Sequence, residues 1–132
     1  MSENATVTMN AEGQIEGHER CRCTEMSPKE LMLYAAALCS AKSIMAIMKK
    51  EQMTPRQLEI TYSGEAEPAT TFSSGAFLSF HVTYRAICLS EGDEEKASRA
   101  IRLAHDKYCT LTQMLRKIAP ISHEIAIVNV GK

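Results

Sequence analysis

The sequence predicts an α+β fold. A long, nearly all-apolar helix is followed by two alternating strands, and these by an amphipathic helix and a β-branched terminal strand. The elements run β-β-α-β-β-α(α)-β within one domain, residues 1–132. The weakest elements come first. ATVTMN, residues 5–10, places Val7 and Met9 on one side, as a strand does, and a second short strand is expected around Gln14 to Glu16. HERCRCT, His18 to Thr24, is polar and reads as a loop or extended entry segment.

The helix from Ser27 to Met48 dominates the chain. Ser27 suits the N-cap, Pro28 the first helical position, where its missing N–H is no loss, and Glu30 completes a capping box. From Leu31 to Cys39 every residue is apolar or small, so these turns have no face suited to water. The apolar run, about 18 residues, reaches the lower limit for a membrane span. Lys42 near its centre, Ser40 and Ser43 beside it and Lys49–Lys50 behind it argue against that, and no membrane partner is expected. One sheet and one amphipathic helix cannot cover such a helix on all sides. A homodimer is therefore expected, with the long helix in the shared core and the N-terminal segment crossing to the other subunit.

Beyond Thr54–Pro55, Gln57 to Ser63 alternates Leu58, Ile60 and Tyr62 against Glu59 and Thr61. The Gly-, Pro- and Ser-rich GEAEPATTFSSG forms a long turn. Phe77 to Ile87 alternates more strictly, with Leu78, Phe80, Val82, Tyr84 and Ala86 on one face, so the two strands form a hairpin with one wet face. An acidic helix start with Asp93 as its cap leads into Ala97, Ala100, Ile101, Ala104, Tyr108, Leu111 and Leu115 at helical spacing, with a kink expected near Tyr108–Cys109–Thr110. Pro120 ends this helix, and Ser122 to Val130 is the last strand.

Fifteen basic against 16 acidic residues, with no Lys/Arg cluster longer than a pair, leave no footprint for nucleic acid. The N-terminus lacks the basic and apolar regions of a signal peptide, which predicts a cytoplasmic protein, and five cysteines in that compartment are expected to be mainly reduced.

Cys39 and Cys109 each lie in a helix, in apolar company. A free cysteine often packs as a small hydrophobe, but polarity changes sharply at Ser40 and Thr110, directly after each thiol. Cys21 and Cys23 with His18 fall short of the four ligands of structural zinc, so no metal site is expected. His81, His105 and His123 read as ordinary surface residues, and Cys88 has no evident partner. Eight methionines and no tryptophan suit an adaptable aliphatic core.

SPKELMLYAAALCSAKSIMAIM resembles the signature of the OsmC/Ohr superfamily, in which a Pro-x-Glu-Leu helix start leads to an alanine-rich turn and a reactive cysteine. AIRLAHDKYCTLTQMLRKIAPISHEI resembles that family's second signature, about 70 residues on, and the texture of the long helix is similar to that of the YhfA-like branch. The resemblance implies an intertwined homodimer acting as a thiol-dependent peroxidase. Cys39 would be the peroxidatic thiol and Cys109 the resolving one, with a small organic hydroperoxide as substrate, a dithiol as reductant and no cofactor. Glu30 would stand for the family's catalytic glutamate, although it falls one place later than in the peroxidases. Nine residues before Cys39 on a continuous helix, it lies on the opposite face and about 13.5 Å away, which favours capping. The family's N-terminal arginine has no counterpart before Arg20; Arg20 and Arg22 could replace it only by folding back over Cys39. The alternative is a non-catalytic dimer of the same fold that binds a small apolar or electrophilic ligand.

Overall fold

A computed structural model describes residues 2–16, 24–68, 70–72 and 75–130. Strand β1 (Ser2–Asn10) precedes helix α1 (Pro28–Lys50), then come β2 (Gln57–Ala66), β3 (Phe77–Cys88), α2 (Gly92–Leu103), a π-helical turn (Ala104–Tyr108), α3 (Thr110–Arg116) and β4 (Ile121–Asn129). The sheet order is β1-β2-β3-β4, antiparallel at the first two junctions and parallel at the third. Helix α1 packs on β1 and β2, and α2 on β3 and β4.

The alternating strands bury the side chains that the sequence pattern selects. Leu58, Ile60 and Tyr62 of β2 and Phe80, Val82, Tyr84 and Ala86 of β3 form the sheet side of the core. Leu78, predicted to join them, is exposed instead. Pairing passes from Glu65↔Ser79 to Ala66↔Phe77, so Leu78 is the extra residue of a bulge and loses its place on the inward face.

Two further expectations change at chain reversals. The second short strand reduces to a single bridge between Met9 and Ile15, because Asn10 turns the chain at once. Its side-chain oxygen accepts from the N–H groups of Glu12 and Gln14 at 3.0 and 2.9 Å, an Asx-type closure that leaves no room for a ladder. At α2, Asp93 is not the cap. Its own N–H donates to the Ser90 carbonyl, and Asp93, Glu94 and Glu95 serve the helix start only through their charge.

Helix α1 begins as its sequence dictates. Ser27 Oγ accepts from Glu30 N–H at 3.1 Å, and a Glu30 carboxylate oxygen accepts from Ser27 N–H at 3.0 Å. The Ser27 hydroxyl also donates to Glu3 of β1, which ties the first strand to the helix start.

Within one chain, α1 buries one face and not its whole circumference. Leu33, Tyr34, Ala36, Ala37, Ser40, Ala41, Ile44 and Met48 are buried, whereas Ala35 is exposed and Leu31, Met32, Leu38 and Cys39 are half-buried. The helix is long and apolar enough to span a membrane, but its buried side is the side packed on the sheet, as in a core helix.

The cap makes a direct prediction. Ser27→Ala should cost about 1 kcal/mol of stability in denaturant unfolding, the usual worth of a cap, and Glu30→Ala should cost a comparable amount. An unchanged midpoint in both variants would show that the box contributes nothing.

Candidate functional site

Cys39 lies midway along α1, and Cys109 reaches it through an irregularity in the opposite helix. The Cys109 N–H bonds to the Ala104 carbonyl at 2.9 Å, five residues back rather than four, and Cys109 itself is extended (φ −80°, ψ 106°) before Thr110 opens α3. This widened turn is the kink that the sequence predicts. The turn is pinned from α3, where Gln113 Nε2 and Arg116 Nη2 each donate to the His105 carbonyl at 2.9 Å.

Cys109 is fully buried, Cys39 is half-buried, and the two thiols are close enough to influence one another electrostatically. Burial pushes the Cys39 thiol up from its ordinary value, and Cys109 adds to this. Backbone hydrogen bonding from Leu111 and Thr110 at the start of α3 pulls the other way. The balance leaves Cys39 a thiol at neutral pH, with peptide N–H groups beside the sulfur where a thiolate charge would form.

A buried hydroxyl cluster surrounds Cys109. Ser40 Oγ lies 3.3 Å from Cys109 Sγ, 2.7 Å from the Tyr62 hydroxyl and 3.4 Å from Thr112 Oγ1, and Tyr62 also bonds Thr112. Tyr84 stands close enough to Tyr62 and Ser40 to interact with them electrostatically, and its hydroxyl lies 2.6 Å from His105 Nδ1. Groups buried this deeply must satisfy one another, which accounts for the cluster's connectedness. Burial raises the pKa of both tyrosines, so they stay neutral.

Of the three residues expected in a catalytic site, the structure brings Cys39 and Cys109 together and leaves Glu30 apart, held in the capping box at the start of α1. Cys88 is buried at the end of β3 with its sulfur 3.9 Å from the Asp93 carbonyl. His18, Arg20, Cys21, Arg22 and Cys23 lie outside the described residues. Among the described residues no three His, Cys, Asp or Glu side chains gather in a way that could hold a metal.

The expectation that His105 is a surface residue is overturned. It is 1% exposed, and its pKa is lowered to about 4, first by burial and then by His123 and Arg116. Its Nε2 has no hydrogen-bond partner among the described residues. His123 is exposed, but its ring sits 4.2 Å, centroid to centroid, from that of His105. His81 is half-buried and bonds Ser122 at 2.7 Å. Helical spacing carries the signal for His105, since Ala97, Ile101 and His105 recur every four residues on the inward face. Ser40, Tyr62, Thr112 and Tyr84 read in the sequence only as core or as a polarity change.

Residues 5–124 match the family model described as OsmC-like protein. Protein YhfA of Escherichia coli strain K12 is 31% identical over 103 residues, which span 77% of this chain and 73% of that protein. Among solved structures, an OsmC-like protein from Mycoplasma pneumoniae superposes with a TM-score of 0.63 at 11% identity over 97% of both chains. The organic hydroperoxide resistance protein OhrB of Bacillus subtilis gives 0.53 at 16% identity, over 95% of this chain and 97% of that one. The match to the family model over nearly the whole chain, joined to a shared fold, shows that the chain belongs to the OsmC-like family.

Proposed function

We propose that this protein is a thiol peroxidase that reduces organic hydroperoxides through Cys39 and Cys109. The observation that carries this reading is the proximity of two thiols from distant parts of the chain, close enough to influence one another. The name of the Bacillus subtilis neighbour, an organic hydroperoxide resistance protein, supports the substrate class. In the reaction the Cys39 thiolate attacks the distal oxygen of the O–O bond, the alkoxide leaves and takes a proton, and Cys39 becomes a sulfenic acid. Cys109 then attacks the Cys39 sulfur, the disulfide closes and water leaves. A dithiol reductant returns two electrons and two protons. The peptide N–H groups of Leu111 and Thr110 are placed to favour the thiolate, and no cofactor is needed.

A second reading has an observation in its favour. The Cys39 thiol is pushed up rather than down, and Glu30 is engaged in capping, so the chain also suits a non-catalytic member that holds a small apolar or electrophilic ligand. Kinetics separate the two. With cumene hydroperoxide and a dithiol, a peroxidase should lose at least about 100-fold in rate on Cys39→Ser, while Cys109→Ser should leave a trappable sulfenic acid. An unchanged rate in Cys39→Ser removes the assignment, and a wild-type protein that neither turns over nor takes up a sulfenic-acid probe favours the ligand binder. Because the thiol pKa is raised, the rate should climb about tenfold per pH unit through the ordinary thiol range. A plateau near neutrality would contradict the raised value.

We also propose a homodimer working in a reducing compartment, the cytoplasm. Support comes from the half-buried Leu31, Met32 and Leu38, which the single chain leaves partly uncovered around exposed Ala35. At about 25 cal/mol per Å², even ~400 Å² of such surface represents roughly 10 kcal/mol, comparable with the whole stability of a small domain. Ala36, on the same turn, is buried against its own core and does not discriminate between the states. Ala35→Asp should therefore leave the chain folded and shift it to monomer in sedimentation. A wild-type protein that sediments as a stable monomer at micromolar concentration would contradict the dimer.

A further inference from the structure

The three hydroxyls beside Cys109 can be satisfied in one direction. Ser40 donates to the Cys109 sulfur at 3.3 Å, which uses the only proton a serine hydroxyl has. Ser40 Oγ then accepts from Tyr62 at 2.7 Å, and Tyr62 in turn accepts from Thr112, so each hydroxyl donates once and the line ends on sulfur. We propose that this line stabilises Cys109 as the leaving sulfur when the Cys39–Cys109 disulfide is reduced, so that the dithiol attacks Cys39. Ser40, which touches the reacting sulfur, is then a catalytic residue, and Tyr62 and Thr112 are positioning residues. The inference rests on the two-cysteine reading above.

Burial sets the need for such a donor. In thiol–disulfide exchange a thiolate attacks one sulfur and negative charge gathers on the other, and access decides which is attacked. Cys109 is 0% exposed and Cys39 half-buried, so the approach lies on the Cys39 side and the charge develops on the buried sulfur. A buried charge without a hydrogen-bond donor is costly. Ser40 supplies one. It is itself 0% exposed, in the middle of α1, where a serine ordinarily faces solvent or bonds back to a carbonyl of its own helix. Here its hydroxyl meets Tyr62 of β2, Cys109 and Thr112 of α3. Burial raises the pKa of Tyr62, so the phenol keeps the proton it donates. Hydrogen bonds in series polarise one another, so Tyr62 and Thr112 strengthen the donor that Ser40 presents.

The step balances as follows. One thiol of the dithiol loses its proton to solvent and attacks the Cys39 sulfur. The Cys39–Cys109 bond breaks, its electron pair leaves on the Cys109 sulfur against the Ser40 O–H, and a mixed disulfide joins the reductant to Cys39. The second thiol of the reductant, also deprotonated, attacks the reductant's own sulfur in that bond and releases Cys39. Each cysteine then takes up one proton. The dithiol has become a cyclic disulfide and the pair has gained two electrons and two protons.

The test starts from the disulfide form, made with the diazene diamide, which takes two electrons from a thiol pair without any peroxidase chemistry. Its reduction by dithiothreitol is timed at pH 7 for wild type, Ser40→Ala, Ser40→Thr and Tyr62→Phe. In a parallel arm glutathione is the reductant, the reaction is quenched in acid, and peptide mapping finds which cysteine carries it. Glutathione should be found on Cys39, with Cys109 free. Ser40→Ala should be reduced at least fivefold more slowly than wild type, Tyr62→Phe at least twofold more slowly, and Ser40→Thr, which keeps the hydroxyl, should recover most of the rate. The sign separates this from a packing defect, because a loosened core would expose the disulfide and speed its reduction. Slowing of less than fivefold in Ser40→Ala, a faster reduction, or glutathione on Cys109 in wild type overturns the proposal. Should Ser40→Ala not fold, Tyr62→Phe, which loses a single oxygen, decides at its twofold threshold. Wild type that forms the disulfide with diamide but does not turn over cumene hydroperoxide removes the peroxidase reading, and the reduction arm still decides the role of Ser40. Wild type that forms no Cys39–Cys109 disulfide with diamide overturns both.

Discussion

The site depends on one departure from helical regularity. Where the second helical segment meets α1, the Cys109 N–H reaches back five residues to Ala104, and the extended backbone at Cys109 then lets α3 restart at Thr110. An uninterrupted α-helix would carry residue 109 past α1 with its neighbours in a different phase. The widened turn instead inserts the sulfur beside Cys39 and points the first N–H groups of α3 at the same place. The bonds from Gln113 and Arg116 to the His105 carbonyl hold the turn open, so α3 is a brace as well as an element of the core.

That arrangement has an electrostatic consequence. Two thiols, three hydroxyl-bearing side chains and a tyrosine–histidine pair share a region closed to water on most sides, and burial favours the neutral forms of Cys39, Tyr62, Tyr84 and His105. Cys39 differs from the rest in being half-buried, so an oxidant can reach it while Cys109 stays protected. A half-buried thiol backed by a buried one is the order that the proposed two-step thiol oxidation requires.

Much of this was legible in the residues. The capping box at Ser27–Glu30, the alternation in β2 and β3 and the break at Cys109 all follow from local rules that tertiary contacts did not override. Leu78 defied its pattern because a bulge shifts register by one residue, something no periodicity carries. His105 defied its polarity, since it sits on the inward face of its helix, and only Tyr84 from another strand makes its burial tolerable. The apolar belt of α1 was legible as an excess of hydrophobic surface, and the single chain covers one side of it. Glu30 shows the reverse lesson: its spacing from Cys39 already favoured the cap in which it is found.

The most direct test of the account is which sulfurs join when the reduced protein meets one equivalent of cumene hydroperoxide. Peptide mapping under non-reducing conditions should find a single new cross-link, Cys39 to Cys109, with Cys88 still a free thiol. Oxidation that stops at Cys39 with Cys109 unlinked, or a cross-link that joins either sulfur to another cysteine, would contradict it.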